Sequence, residues 1–154
     1  MSLIVPSAKW DARFLRLAAE VGSWSKDPST KVGCVIVGPD REIRSTGYNG
    51  PPRGIDDAVE ARWRRPEKYL WVIHAEANAV VHAARIGVSL KGCTVYSTFF
   101  PCATCAGLLV QAGVAAVVAP AAGAARSEAD DRWELSHSAA RAMFEEAGIE
   151  WEVV

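Results

Sequence analysis

Between Lys9 and Trp24 the apolar residues Trp10, Phe14, Leu17, Ala18 and Val21 recur at helical spacing among charged residues. That pattern predicts an amphipathic first helix. A turn-rich break, Ser25-Lys26-Asp27-Pro28-Ser29, separates it from the apolar run Val32 to Val37, which is long enough for a buried strand. Gly38-Pro39-Asp40 then turns the chain into a second strand near Glu42 to Tyr48, forming a hairpin. Further on, the alanine-rich stretch Ala75 to Ile86 predicts a helix, Thr94 to Thr98 a strand, and Cys102 to Ala112 a helix ended by Gly113. Val114 to Ala119 reads as a strand, Pro120 to Ala129 as a small-residue loop, Trp133 to Ala147 as a final amphipathic helix and Glu150 to Val154 as a last short strand. This order predicts a three-layer α/β/α domain around a central mixed five-stranded sheet, one domain spanning residues 1–154.

The longest connection starts at Asn49-Gly50-Pro51-Pro52-Arg53-Gly54, which cannot be regular structure, and runs to about Trp71. Long loops in compact domains are either functional or disordered. This one carries Trp63, Tyr69 and Trp71 among Arg53, Arg62, Arg64, Arg65 and Lys68, and we read it as functional, with a short helix over Asp57 to Arg65.

With 154 residues the chain is large enough to bury a core without disulfide staples. Half of its residues are hydrophobic and its net charge is −1, which argues against an extended surface for a nucleic acid polymer. The early apolar run Leu3-Ile4-Val5 is too short for a signal-peptide core, and no stretch approaches a membrane span. We therefore expect a cytoplasmic protein with no membrane partner. In a reducing compartment four cysteines bind metal or fill a core rather than pair. Cys34 and Cys93 lie in strand-like segments and read as small core residues.

The other two belong to Pro101-Cys102-Ala103-Thr104-Cys105, and His74-Ala75-Glu76 lies upstream. Cysteines three apart share one face of a helix and can grip one ion. Pro101 suits the first turn of that helix, whose positive end favours the thiolates zinc requires. His74 and Glu76, two apart, would point to different sides of a regular helix, so His74 is expected at the helix entrance and Glu76 just inside it. Zinc takes nitrogen and thiolate ligands, and a catalytic site has three protein ligands and an open fourth position. His74, Cys102 and Cys105 meet that description, and Glu76 is left as the acid/base beside the opening. A Cys-x-x-Cys alone would equally suit a redox pair or half of a structural zinc knuckle. The upstream His-x-Glu and the lack of a fourth ligand at suitable spacing favour catalysis. His82 and His137 have no partner at ligand spacing and read as ordinary surface or core histidines.

The two motifs together resemble the signature of the zinc-dependent cytidine deaminase-like superfamily. Ser25-Lys26-Asp27-Pro28, Val32 to Val37, Gly47-Tyr48-Asn49-Gly50-Pro51, His74 to Ala79 and Phe100 to Ala106 occur in the order seen in deoxycytidylate (dCMP) deaminases. The resemblance covers roughly residues 8–119 and implies a cytidine deaminase-like fold, bound zinc, a homo-oligomer, and hydrolysis of dCMP to dUMP and ammonia. A nucleoside, a free base (cytosine or guanine) or another amino-heterocycle is the alternative small-molecule substrate, and a non-catalytic zinc- or nucleotide-binding module is the alternative role, against which an intact Glu76 weighs. The resemblance further implies that Glu76 moves protons between water, N3 and the departing ammonia, that the Ala75 N–H holds the pyrimidine carbonyl, and that Asn49 bonds the sugar. A phosphate calls for arginine, with Arg53 and the cluster Arg62, Arg64 and Arg65 the candidates in the long connection. Trp71, Phe99, Phe100 and Trp133 are candidates for a face that stacks on the base. The chain departs from its relatives at Ala77, where they often carry a larger apolar residue, and at Ala119 to Gly123, which lacks an aromatic often found there.

Overall fold

A computed structural model describes residues 7–121 and 131–154. Helix α1 (Ala8–Ser23) opens on Ser7, whose hydroxyl accepts from the Trp10 N–H. Strands β1 (Gly33–Val37) and β2 (Ile43–Tyr48) form the predicted hairpin, and α2 (Lys68–Trp71) is a single helical turn. Then come α3 (Ala75–Ile86), β3 (Thr94–Ser97), α4 (Ala103–Ala112), β4 (Ala116–Ala119), α5 (Asp131–Glu146) and β5 (Glu150–Val153). The sheet order is β2-β1-β3-β4-β5, with β1 antiparallel to both neighbours and β3, β4 and β5 parallel. This is the mixed five-stranded sheet expected. Among the described residues no helix is long and apolar enough to cross a membrane.

Strand alternation divides the core into two layers. Cys34, Ile36, Val95, Val117 and Ala119 pack on one face with Ala75, Ala79 and Ala83 of α3, Ala106 and Leu109 of α4, and Ala140 and Phe144 of α5. Val35, Val37, Tyr96 and Val118 face the other way, onto Phe14, Ala18 and Val21 of α1. Cys34 and Cys93 are fully buried core residues.

The long connection departs from its predicted form. It holds a 3₁₀ turn at Glu60–Trp63 rather than a helix over Asp57 to Arg65, and the α2 turn was not anticipated. A single turn whose buried residue is a lysine, Lys68, presents no apolar periodicity to read. Trp63 anchors the connection: its ring is buried, with Nε1 donating to the Asp57 carbonyl at 2.8 Å. The two ends are pinned by a bridge between Gly50 and Ile73, with hydrogen bonds of 3.1 and 2.9 Å, immediately before His74. Pro101 also differs from expectation. It is buried one residue before Cys102, the N-cap of α4, and so precedes the first turn. The predicted loop Pro120 to Ala129 falls almost wholly outside the described residues.

Helix α3 lies close on β2 because Gly47 has no side chain. A Cβ there would come within 2.3 Å of the Ala75 carbonyl oxygen and 2.5 Å of the Ala79 nitrogen. The approach is reinforced by the buried Ser45 hydroxyl, which donates to the Ala79 carbonyl at 2.6 Å. Gly47→Ala should therefore push the first turns of α3 away from the sheet and destabilise the fold by about 2–3 kcal/mol. Gly107→Ala, at a helical position with nothing within 4 Å of a Cβ, should be neutral or stabilising by up to ~1 kcal/mol. Urea melts of the two variants check this, and equal stability losses would count against the packing described.

Candidate active site

Two helices begin at the same place. His74 is the N-cap of α3 (φ −68°, ψ 155°) and Cys102 the N-cap of α4 (φ −71°, ψ 169°). Each is extended, while its carbonyl already accepts the first helical hydrogen bond, from Asn78 and Ala106 respectively. At an N-cap the side chain projects off the end of the helix instead of lying along it, so both side chains reach the space between the helix ends. Cys105, in the first turn of α4, joins them. The Cys102 and Cys105 Sγ atoms lie 3.4 and 3.5 Å from His74 Nδ1, and all three ligand atoms are within 4.8 Å of one another. Zinc–sulfur and zinc–nitrogen bonds of about 2.3 and 2.0 Å at a tetrahedral angle place those atoms about 3.5 Å apart. The donor set and its spacing thus fit zinc with three protein ligands.

The two thiols titrate as a pair. The hydrogen bond with Cys105 holds the Cys102 thiol well down against its burial, to about 4, with help from His74. The same bond and burial push the Cys105 thiol up. The pairing favours the thiolate at Cys102, the form that binds metal.

Glu76 stands in the first turn of α3, 4% exposed. Its Oε1 accepts from the hydroxyl of Ser97, the buried last residue of β3, at 2.9 Å. Burial raises the Glu76 carboxyl above its ordinary value, while its backbone hydrogen bond, His74 and Ser97 oppose the rise. Such a group takes up a proton more readily than an exposed carboxylate.

The cleft above these residues opens to solvent and encloses about 690 Å³ counting its open mouth. Of the residues predicted from sequence, Asn49, Arg65, His74, Ala75, Glu76, Phe99 and Cys102 line it together, with Phe100 and Trp133. Cys105 sits one turn deeper, in the ligand cluster. Arg53 and Trp71 are elsewhere. Beyond the Gly50 bridge the chain passes over α3, where Arg53 lines a separate groove and donates to His82 Nε2 at 3.2 Å. His82 Nδ1 in turn donates to the Thr46 carbonyl at 2.7 Å. The α2 turn offers Lys68 and Tyr69 to the cleft, and Trp71 lies outside it beneath the Arg62 guanidinium, 4.0 Å from the ring centroid. His137 is buried edge-on against Phe100.

Lys68 and Asp27 were missed as site residues, since a lysine in a basic loop and an aspartate in a turn look solvated. Asp27 is fully buried and is the hub of the cleft wall. One carboxylate oxygen accepts from the Ser29 and Thr30 N–H groups and the Ser29 hydroxyl; the other accepts from Asn49 Nδ2 and pairs with Lys68. Asn49 Nδ2 also donates to the Thr30 carbonyl, and its Oδ1 accepts from the Val32 N–H. Both Asn49 amide hydrogens are thus engaged within the protein, and what it offers a ligand is the second lone pair of Oδ1.

Residues 8–121 match the family model for the cytidine and deoxycytidylate deaminase zinc-binding region. The chain belongs to that deaminase family. Among its relatives, an uncharacterized deaminase from the luxG 3′ region of Aliivibrio fischeri is 41% identical over 146 residues, covering 93% of this chain and 92% of that one. The deoxycytidylate deaminase of Mus musculus is 36% identical over 149 residues, covering 92% and 77%. In structure, the dCMP deaminase of cyanophage S-TIM5 superposes with a TM-score of 0.73 at 26% identity, covering 97% of this chain and all of that one. The family's zinc-binding region contains all three ligand residues, and this deaminase is a zinc-dependent hydrolytic enzyme.

Burial pushes the Asp27 carboxyl up, but the Lys68 ammonium and the Ser29 and Thr30 donors outweigh it and leave it below its ordinary value of 3.8. A carboxyl lowered by folding contributes stability that is complete above its unfolded value and is lost as pH falls through its folded one. Asp27→Ala strands the Lys68 charge and should destabilise this deaminase by about 3 kcal/mol at pH 7. The gap from wild type should shrink as the pH falls below about 4. Denaturant melts at pH 7 and at about pH 3 check both points, and a gap of equal size at the two pH values would contradict the assignment.

Proposed function

We propose that this chain, as one deaminase domain over residues 1–154, converts dCMP to dUMP and ammonia. The observation that carries the reading is the placement of a buried acid, Glu76, beside a His-Cys-Cys cluster in a cleft with a cation at its mouth. The substrate assignment is supported by the relatives named deoxycytidylate deaminase and by the dCMP deaminase whose fold it shares.

His74, Cys102 and Cys105 would hold zinc, which supplies the Lewis acidity that brings the pKa of water toward neutrality. The chain's own residues do the rest. Glu76 takes one proton from the attacking water and delivers it to ring N3; it then takes the second proton from that oxygen as the C4 carbonyl forms and gives it to the amino group, so that the C4–N bond breaks and ammonia leaves. Ser97 fixes one carboxylate oxygen by its hydrogen bond, which restricts the rotation of the side chain that shuttles protons. The Ala75 N–H, at the start of α3, receives the pyrimidine carbonyl, where the helix's positive end favours a partial negative charge. Phe99, Phe100 and Trp133 exclude water from the ring's surroundings, and Asn49 accepts from a sugar hydroxyl.

The phosphate falls to Arg65, the one predicted arginine among the residues lining the cleft. Arg65 is exposed, and its Nε donates to the Tyr69 hydroxyl at 3.0 Å. That bond orients the guanidinium and leaves its terminal nitrogens as paired donors for phosphate oxygens. Lys68 is a weaker candidate, because Asp27 already neutralises it.

Ammonia release from dCMP, CMP, deoxycytidine, cytosine and guanine, assayed side by side, tests the proposal. dCMP should be preferred; turnover of an unphosphorylated compound alone would refute the nucleotide assignment. Arg65→Ala should raise KM for dCMP about tenfold or more while leaving deoxycytidine turnover unchanged. Glu76→Gln should retain one zinc per chain and lose about 10²–10⁴-fold in kcat. Substantial residual turnover in that variant would remove Glu76 from the proton transfers.

A further inference from the structure

Helix α4 carries two of the three metal ligands, yet its N-terminus makes no side-chain cap of its own. The N-cap position, where Ser, Thr, Asp or Asn ordinarily accepts from the first turn, is taken by Cys102, whose sulfur is committed to the metal cluster. The first N–H of the helix, that of Ala103, instead donates at 2.8 Å to the hydroxyl of Ser136, thirty-three residues on in α5. Ser136 is only half-buried, but its neighbours on the same helix fasten that face in place. Trp133, one turn earlier, lines the cleft, and His137 and Ala140 are buried, with His137 edge-on to Phe100 just before the ligand motif.

We propose that Ser136 is a positioning residue of the metal centre: from α5 it supplies the cap that α4 gave up when its N-cap became a ligand. Through the Ala103 N–H it fixes the peptide between Cys102 and the rest of the first turn, and so the separation of the two sulfurs. The same docking of α5 that delivers this hydroxyl brings Trp133 to the cleft wall. Metal retention and the shape of the substrate cleft are thereby tied to one helix–helix contact. The proposal rests on the zinc deaminase reading.

The test compares zinc affinity, by competition with a chromogenic chelator, in the full-length chain and three variants. Ser136→Ala removes the acceptor without weakening α5, since alanine is the best helix former. Ser136→Thr keeps the hydroxyl, and Ser138→Ala removes an exposed hydroxyl from the same helix. Loss of an outer hydrogen bond to a metal site lowers affinity about 10–100-fold. We expect a loss of about tenfold or more for Ser136→Ala, recovery to within about threefold for Ser136→Thr, and no change for Ser138→Ala. Wild-type affinity in Ser136→Ala, or a threonine variant as weak as the alanine one, would overturn the proposal. Amide exchange at Ala103 in chelator-treated protein separates this from the underlying reading. Exchange at least about tenfold faster in Ser136→Ala supports the cap, unchanged exchange overturns it, and neither result depends on zinc being the metal.

Discussion

The site depends on one geometric constraint: α3 and α4 must start within a few ångströms of each other, because their N-cap residues are two of the metal ligands. Neither helix achieves this alone. Helix α3 is drawn onto β2 where Gly47 allows its first turns to approach the strand backbone, and the Gly50–Ile73 bridge fixes the chain just ahead of His74. Helix α4 is delivered by β3 through buried Phe100 and Pro101. Since β1 lies between β2 and β3 in the sheet, the separation of the two helix starts is set by strand spacing, which is stiff. Both helices also point their positive ends at the ligands, a field that favours thiolate.

Around that point the polar side chains are buried in mutually satisfied sets. Asp27 gathers Lys68, Asn49 and the Ser29–Thr30 backbone, and Glu76 is tied to Ser97. Among the described residues no buried side-chain nitrogen or oxygen lacks a partner. Satisfied networks of this kind are rigid, because each bond broken in a low-dielectric site leaves a costly orphan. The cleft therefore has its shape before any substrate arrives, and Asn49 is aimed by the protein rather than by the ligand. Its amide is committed on the nitrogen side, which makes it an acceptor toward whatever it meets.

Much of the fold was legible because its elements carry strong periodic signals. Helix α3 begins at Ala75 and ends at Ile86 as read from sequence, and strands β1 and β4 follow from apolar runs bounded by turn residues. The ligand set was legible for a different reason: zinc demands particular donor types, and His74, Cys102 and Cys105 offer them. The cleft wall was not, since it is built by tertiary contacts that leave no local trace. Lys68 looks like any loop lysine until Asp27, remote in sequence, is seen buried against it. Arg53 and Trp71 have the right chemistry in the right loop, but the Gly50 bridge carries one over α3 and the α2 turn leaves the other outside the cleft. Ser136 lies in a helix whose sequence suggests only packing, and its partner belongs to another helix.

X-ray absorption at the zinc edge of the purified, zinc-loaded chain addresses the convergence of the two helix starts most directly. Two sulfurs at about 2.3 Å with one imidazole nitrogen and one further light atom at about 2.0–2.1 Å is the expected shell. A shell of four sulfur or imidazole ligands, or one lacking either the histidine or a sulfur, would contradict a three-ligand site built from the N-termini of α3 and α4.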